Sequence, residues 1–462
     1  MPAAPPGQAA ARPLPGTPFP LPGAQGRGRL CSGPFKRGPA QLEGSPEGTP
    51  AGSRDGAVAS PQSDNMLAAA WAGLALLWAT GGGAGDAAGY RRRVSLEYNP
   101  GWASSAVNLL HSRAVGLNDT LHYVWSTIGA PTVLLVYTAS DNSSLRVNWT
   151  QLLSSSPAGA IWVEPAESVL YSTAVVFPRL WEYNPTNTSN FSQIQTEHIY
   201  ASYNLANFSW DSLEGRLNET ALSADFQGRG GTFRNGSISF KVTAYEEGSR
   251  DGPLPRLLHT ANSSKVEFAI QGVPLQGNHS RFALEILAVE EGRRQKQLQS
   301  VRSIDDEYTP TIFEMVQLIS EPHNHSLGSS FLQWKMAAYS SETPTRENTV
   351  HCQYYPLQVV HNLGPEFRIL HAYFGEDLER FCSLSALNIS FGSEDNEAYR
   401  EKKYLSWSAL VGFGEPPREE FSPLVIGILA VALGTPVMLL IVGSLVVLTR
   451  KRKPCSEYKP IN

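Results

Sequence analysis

Residues 237–245 read Ser-Ile-Ser-Phe-Lys-Val-Thr-Ala-Tyr, and this stretch indicates the fold class of the chain. Every second residue is apolar, so that one face of an extended backbone carries Ile238, Phe240, Val242 and Ala244. The positions between them are polar. A period of two residues is typical of a β-strand with one face in the core and the other in water. The stretch therefore predicts a half-buried strand.

The same pattern of short alternating runs continues between about Gly89 and Glu420. It predicts further strands at Lys265–Ile270, Arg281–Glu290, Phe331–Tyr339 and Leu387–Phe391, and a central strand at Thr132–Thr138, which is apolar on both faces. Long amphipathic helical stretches are scarce in this region. We therefore predict a mainly β fold for residues 89–420, an antiparallel β-sandwich-type ectodomain. It forms either one body or two lobes that divide near Gly292–Ser303.

A different pattern follows the predicted ectodomain. Residues Leu424–Leu448 form an apolar run of 25 residues without a charge. At about 1.5 Å per residue, a helix of this length crosses a hydrocarbon core about 30 Å thick. The basic residues Arg450–Lys453 follow at once, and such clusters favour the cytoplasmic side. The sequence thus predicts a transmembrane helix at 424–448 and a type I orientation, with the ectodomain in a lumen.

The remaining residues, 450–462, form a short cytoplasmic tail that ends in Tyr458-Lys459-Pro460-Ile461. A tyrosine followed by two residues and a bulky apolar residue resembles the sorting signals that clathrin adaptors bind as an extended peptide. Pro460 disfavours a helical conformation at Lys459 and so favours that extended shape. The position close behind the membrane favours an endosomal or lysosomal sorting signal, and a chance match is the alternative.

The N-terminal part divides into two segments. Residues 1–65 are rich in Pro, Gly, Ala and Ser and predict a disordered leader. Residues 66–88 predict a secretory signal peptide, because the apolar run Leu67–Ala79 precedes a stretch of small residues. Met66 is then the working start of secreted molecules, although a start at Met1 stays open.

Composition limits the class of function. The net charge of −5 and the isoelectric point near 6.1 give no reason to expect nucleic-acid binding. Of the four cysteines, Cys352 and Cys382 fall in the ectodomain, where an oxidising compartment favours a disulfide over two free thiols. Cys455 lies beside the membrane and is a candidate for lipidation, with an unmodified thiol as the alternative.

The ectodomain carries many acceptor sites for N-linked carbohydrate. The sequence Asn-x-Ser/Thr, with x not proline, occurs twelve times, at Asn118, Asn142, Asn148, Asn187, Asn190, Asn207, Asn218, Asn235, Asn262, Asn278, Asn324 and Asn388. All twelve lie between the predicted signal peptide and the predicted span. Occupied sites must face solvent, so a dense coat predicts either help with folding and solubility or protection of the chain from proteases.

Motifs for catalysis or metal binding are weak by comparison. His323-Asn324-His325 offers two metal ligands, but the central residue is a glycosylation acceptor and no third ligand is identifiable. Asp305 and Glu307 would share one face of a strand, at a spacing that a glycosidase could use, but a solvated charge cluster explains them as well. We therefore predict no catalytic residue, no metal and no cofactor.

The sequons, the single span and the Tyr458–Ile461 ending together make Met66–Asn462 resemble the glycosylated lysosomal membrane protein family. The resemblance implies a non-enzymatic accessory subunit of a polytopic lysosomal transporter of the major-facilitator type. It further implies that the transporter exports dipeptides and that the subunit protects it from degradation. Two alternatives stay open, a membrane-tethered lysosomal hydrolase and an endosomal or cell-surface receptor.

Overall fold

The structure is a computed structural model that describes residues 90–185, 190–233, 236–292, 294–304, 312–320, 328–392, 397–418 and 423–450. The predicted leader at 1–65, the predicted signal peptide at 66–88 and the tail after Arg450 lie outside these residues. The described chain is mainly β, and its strands pair antiparallel, as the sequence predicted.

The strands of the first half are β1 Arg93–Tyr98, β2 Leu109–Val115, β3 Thr120–Ser126, β4 Thr132–Thr138, β5 Ser144–Val147, β6 Ile161–Glu164, β7 Val169–Val176, β8 Arg179–Tyr183, β9 Ile199–Asn204, β10 Ser209–Trp210, β11 Leu217–Asn218, β12 Ser223–Arg229 and β13 Ser237–Ala244. Those of the second half are β14 Ser249–Arg250, β15 Leu258–His259, β16 Ser263–Gln271, β17 Arg281–Glu291, β18 Lys296–Ile304, β19 Ile312–Ser320, β20 Ser330–Lys335, β21 Ala337–Tyr339, β22 Thr349–Tyr354, β23 Gln358–Val359, β24 Cys382–Phe391 and β25 Tyr404–Phe413.

Helices are short except at the C-terminal end. The α-helices are α1 Trp149–Leu152, α2 Arg368–Phe374, α3 Glu397–Lys402 and α4 Pro423–Arg450. Single 3₁₀ turns occur at Ala166–Ser168, Phe191–Gln193, Thr196–His198, Leu205–Asn207, Gly231–Phe233, Arg346–Asn348 and Leu378–Arg380.

Two large sheets form the body of the ectodomain. In the first sheet the neighbouring strands are, in order, β1, β2, β3, β4, β7, β17, β24 and β22. In addition, β8 pairs with β17, β9 pairs with β8, and β23 pairs with β24. In the second they run β12, β13, β16, β25, β20, β19 and β18, with β10 and β11 beside β12. Strand β22 also pairs with β21, which belongs to the second sheet, and so joins the two. The hairpins β5–β6 and β14–β15 form two separate two-stranded sheets.

One continuous core lies between the two sheets. Leu135 and Ile286 of the first sheet and Phe268 and Trp407 of the second belong to the same buried cluster. The predicted boundary near Gly292–Ser303 does not divide it, because this is where the chain turns from β17 in the first sheet into β18 in the second. The β ectodomain is therefore a single sandwich in its described part.

A second apolar cluster covers the outer face of the first sheet. Leu134 of β4 packs there with Leu145 of β5, Ile161 of β6 and Ile369 of α2. The small hairpin β5–β6 and helix α2 thus act as a cover for this face. The edge of this face at β1 stays uncovered, because no β1 residue belongs to this cluster.

The predicted strands agree with the structure in most of their bounds. Thr132–Thr138 is β4 residue for residue, and the strands predicted from 237, 265 and 281 are β13, β16 and β17. Phe331–Tyr339 is interrupted at Met336, whose amide donates to Glu314 O at 3.0 Å instead of continuing the ladder to β25. This break releases β21 to pair with β22.

Candidate functional site

The acceptor asparagines of the described residues lie mostly at turns and strand ends of the sandwich. Six of them are exposed: Asn118, Asn142, Asn148, Asn207, Asn218 and Asn278. Asn118 lies in the β2–β3 turn, and Asn142 in the turn before β5. Asn187, Asn235 and Asn324 lie outside the described residues. The exposed sites stand where a glycan can extend into solvent without disturbing the core.

Three further acceptor asparagines, Asn190, Asn262 and Asn388, are half-buried. Asn190 caps the turn Phe191–Gln193, and its Oδ1 accepts a hydrogen bond from Ser192 N at 3.1 Å. Asn388 lies within β24 opposite Glu285, and its Oδ1 is buried without a hydrogen-bond partner among the described residues. Carbohydrate is linked through Nδ2, so the Oδ1 contact of Asn190 is compatible with a glycan.

Asn262 belongs to a buried ionic cluster that closes the β2–β3 turn. Arg92, which is 2% exposed, donates from Nη2 to Asp119 Oδ2 at 2.6 Å and from Nε to Asn262 Oδ1 at 2.7 Å. Tyr90 OH donates to Asp119 Oδ1 at 3.1 Å. A Cβ at Gly116 would overlap these groups, so only glycine leaves room for the ion pair. The cluster connects the start of β1 to the residue before β16.

The structure contradicts the disulfide that we predicted between Cys352 and Cys382. Both thiols are free and buried. Cys352 stands opposite Phe391, whereas Cys382 begins the same 10-residue strand at its other end. At about 3.3 Å per residue the two ends lie about 30 Å apart, whereas bridged Cα atoms are at most about 7 Å apart. Burial raises the pKa of Cys382 to about 12 and also raises the pKa of Cys352, so both remain protonated thiols.

The predicted span is one continuous helix. Helix α4 begins at Pro423 and ends at Arg450, and Ile426–Arg450 is long and apolar enough to cross a membrane. Pro436 lies inside the helix. The prediction of a C-terminal apolar helix is therefore confirmed, while the tail residues Cys455, Tyr458, Lys459, Pro460 and Ile461 lie outside the described residues.

A buried series of hydrogen-bonded polar side chains links the strands β2, β3 and β4 to the turn before β5. His111 Nε2 lies 3.0 Å from His122 Nδ1, and His122 Nε2 lies 2.8 Å from Ser143 Oγ. Ser143 Oγ also lies 2.7 Å from Thr138 Oγ1. Burial lowers the pKa of His111 to about 3 and that of His122 to about 2, so both rings are neutral even at about pH 5.

A serine next to two histidines resembles a catalytic triad, but the geometry favours a structural role. Ser143 is 0% exposed, and its hydroxyl is already shared between His122 and Thr138. A nucleophile must reach its substrate, which this hydroxyl cannot do without opening the turn. The sequence alone does not reveal these hydrogen bonds between side chains. The two histidines come together only in the β2–β3 register, in which Arg113 faces His122.

A second buried polar cluster connects the two sheets near the link between β17 and β18. Lys296 Nζ lies 2.7 Å from Glu290 Oε2, and Tyr171 OH donates to Glu290 Oε1 at 2.6 Å. Lys296 Nζ also donates to Ser330 Oγ at 2.5 Å. Burial lowers the pKa of Lys296, and the carboxylate of Glu290 opposes this effect. A charged pair with this many partners is a structural connection between β7, β17, β18 and β20.

The described residues contain no group of three His, Cys, Asp or Glu side chains placed to hold a metal ion. Asp305, Glu307, His323 and His325, which the sequence offered for catalysis or metal binding, lie outside these residues. The described residues thus form a sandwich with exposed acceptor asparagines, followed by one long apolar helix.

Comparison with known proteins agrees with this arrangement. The family model described as glycosylated lysosomal membrane protein matches residues 108–454. Glycosylated lysosomal membrane protein A of Xenopus laevis is 53% identical over 378 residues, which cover 80% of this chain and 93% of the relative. The human protein of that name is 43% identical over 80% of this chain and 91% of its own length, and the Danio rerio protein is 42% identical over 82% and 94%. The chain therefore belongs to the glycosylated lysosomal membrane protein family.

Proposed function

We propose that the chain is a non-enzymatic accessory subunit that stabilises a polytopic transporter in the lysosomal membrane. The observation that carries the proposal is the distribution of six exposed acceptor asparagines over one sandwich that a single apolar helix follows. The resemblance described above adds the kind of partner, a transporter of the major-facilitator type that exports dipeptides.

The proposed orientation is type I. All twelve acceptor asparagines precede helix α4, and the basic residues Arg450–Lys453 follow its apolar part. Glycosylation takes place in the lumen, and basic clusters favour the cytoplasm. Both tendencies therefore favour the same orientation, with the sandwich exposed to lysosomal hydrolases.

Protection from these hydrolases follows from where the glycans would stand. Proteases cleave exposed and locally opened segments, of which turns and loops are the commonest. Asn118, Asn142 and Asn278 lie in such connections between strands. Glycans at these sites would cover the turns of the subunit itself. Glycans that lie near the partner would cover the lumenal loops of the partner.

Helix α4 offers a surface for contact within the membrane. Ala430 and Gly434 are one helical turn apart, and a side chain added at Gly434 would meet nothing within 4 Å in this chain. Small residues at this spacing let a second helix approach closely. Pro436 removes one backbone hydrogen bond and allows the helix to bend towards a partner. We propose that this side of α4 packs against the transporter.

The tail would provide sorting. Tyr458 and Ile461 would bind an adaptor of clathrin coats, and Cys455 would accept a lipid near the membrane. Tyr458→Ala is expected to move the protein from lysosomes to the cell surface, whereas Lys459→Ala, at a variable position of the motif, is the matched control. An unchanged distribution of Tyr458→Ala would contradict the sorting proposal.

The accessory role is tested by capturing the full-length protein from lysosomes in mild detergent and identifying what co-purifies. We expect a polytopic transporter in about equal amount, with a shorter half-life in cells that lack this chain. Wild-type protein should restore the half-life and Gly434→Leu should not, because its larger side chain blocks helix packing. Val437→Leu, an apolar exchange in the same helix, should restore it. Recovery of the protein without a membrane partner would refute the proposal.

A further inference from the structure

A polar cleft lies at the uncovered edge of the first sheet, between the end of β1 and strand β5. Its volume is about 590 Å³, within the range of sites that hold small organic ligands. Glu97, Arg113 and Arg146 contribute charged groups to its lining, and the neutral ring of His111 lies beside them. The cleft thus combines the size of a ligand site with hydrogen-bonding groups of both signs.

The acceptor residue Asn142 is itself part of this lining. It is exposed, and it lies at the tip of the turn between β4 and β5. A glycan linked to its Nδ2 would therefore start at the wall of the cleft. The first sugars would enter the cleft at a high effective concentration, because the covalent bond holds them there.

The turn that carries Asn142 is held in place on both sides. Arg113 donates from Nη2 to Asp141 O at 2.6 Å and from Nε to Ser143 O at 2.9 Å, so one guanidinium binds the carbonyl groups before and after Asn142. The buried hydroxyl of Ser143 is bound in turn by His122. The attachment point is therefore fixed relative to the cleft before any sugar is present, which reduces the entropy cost of binding.

We propose that this cleft binds the first sugars of the N-glycan attached at Asn142. Glu97 is exposed and offers a carboxylate that accepts hydrogen bonds from sugar hydroxyl groups. Arg146 uses its Nε for Glu164, at 2.7 Å, and keeps its other N–H groups as donors to hydroxyl or acetamide oxygens. The glycan at Asn142 is then part of the folded structure. A glycan at Asn118 differs, because it would extend from an exposed turn beside the exposed Leu117.

The proposed contact between glycan and cleft does not depend on a partner protein, because both belong to this chain. The first consequence is protection of the glycan, since an endoglycosidase must reach the innermost sugars to cleave between them. The second is protection of the turn and of strand β5, since sugars in the cleft cover residues 142–147, which line it. Loss of these sugars should therefore expose the turn before β5 to proteolysis.

The test follows the release of glycans from the folded, full-length glycoprotein in mild detergent by an endoglycosidase, with mass spectrometry of each site over time. We expect release at Asn142 to be slower than at Asn118 and Asn278 by about tenfold or more, since one charge-assisted hydrogen bond is worth about that factor. Glu97→Ala should bring Asn142 close to the rate of Asn118. Glu219→Ala, which removes an exposed carboxylate next to the acceptor Asn218, is the matched control and should change nothing at Asn142.

Equal release rates at Asn142 and Asn118 in the wild-type protein would overturn the proposal, as would an Asn142 that carries no glycan. A slow rate at Asn142 that Glu97→Ala and Arg146→Ala both leave unchanged would also overturn it, because the protection would then come from elsewhere. Denatured protein should release all sites at similar rates, which shows that the sequons themselves are equally good substrates.

Discussion

The neutral pair of His111 and His122 predicts that the ectodomain loses stability as its surroundings become acidic. Burial lowers the pKa of both rings, to about 3 and about 2, whereas an unfolded histidine has a pKa of about 6.5. Below about pH 6.5 the unfolded chain therefore binds more protons than the folded one, and protons favour unfolding. The loss begins near pH 6.5 and continues until the folded rings are protonated.

The magnitude follows from the distance to the unfolded pKa. At about pH 5 the solution is about 1.5 pH units below it, which corresponds to about 2 kcal/mol for each histidine. The pair thus lowers the free energy of unfolding by about 4 kcal/mol between about pH 7 and pH 5, a large part of the 5–15 kcal/mol that is typical of a domain. The carboxylates of the chain add their own pH dependence, so the contribution of the pair must be isolated by mutation.

The assay is urea unfolding of the full-length protein in mild detergent, followed by tryptophan fluorescence at about pH 7 and pH 5. In the double variant His111→Gln, His122→Gln we expect lower stability at both pH values, because glutamine cannot reproduce the contacts with Ser143. The difference between the two pH values should nevertheless shrink by about 2–4 kcal/mol. His361→Gln is the control, since His361 is exposed. A double variant with the full pH difference of the wild-type protein would refute the reasoning.

Three further predictions concern the buried clusters and the free thiols. Gly116→Ala should lower the free energy of unfolding by about 1–3 kcal/mol, measured in urea, because its methyl group would overlap the ion pair that closes the β2–β3 turn. Lys296→Met should cost about 3–5 kcal/mol by removing the cation beside the buried carboxyl group of Glu290, and Glu290→Gln in the same chain should recover most of this loss. Cys352 and Cys382 should react with an alkylating reagent only after unfolding without reductant, whereas a disulfide-linked peptide would contradict the structure.

Alternation predicted the fold where one strand face is buried and the other is not. In β13 the residues Ile238 and Phe240 point into the core and Lys241 into water, and the strand ends within one residue of the prediction. The prediction was less complete for β24, which begins five residues earlier than Leu387. Its first half places Cys382, Leu384 and Ala386 in the outer apolar cluster, whereas its second half, from Leu387, belongs to the core between the sheets. The alternation therefore changes phase at Leu387, and a single alternating run captures only the second half.

The incorrect disulfide illustrates a different limit. The compartment of Cys352 and Cys382 was inferred from the span, and chemistry then favoured a bond between them. A bond also requires close approach, which depends on the pairing of β22 with the far end of β24. Pairing between strands that are distant in sequence cannot be derived from local patterns, so two cysteines in the same compartment did not imply a bridge.

The cleft beside Asn142 arises from the same kind of pairing, which is why the sequence indicated the acceptor but not its surroundings. The motif around Asn142 is local and can be found by inspection. The guanidinium of Arg113 and the ring of His122 reach the turn only because β2, β3 and β4 follow one another in the sheet and bring their side chains beneath β5. A glycan at Asn142 and the neutral ring of His122 would then act on the same turn, the glycan by covering it and the ring by its contact with Ser143. The stability of this edge at acidic pH would therefore depend on sugar and imidazole together, and neither contribution is visible in the sequence around the other.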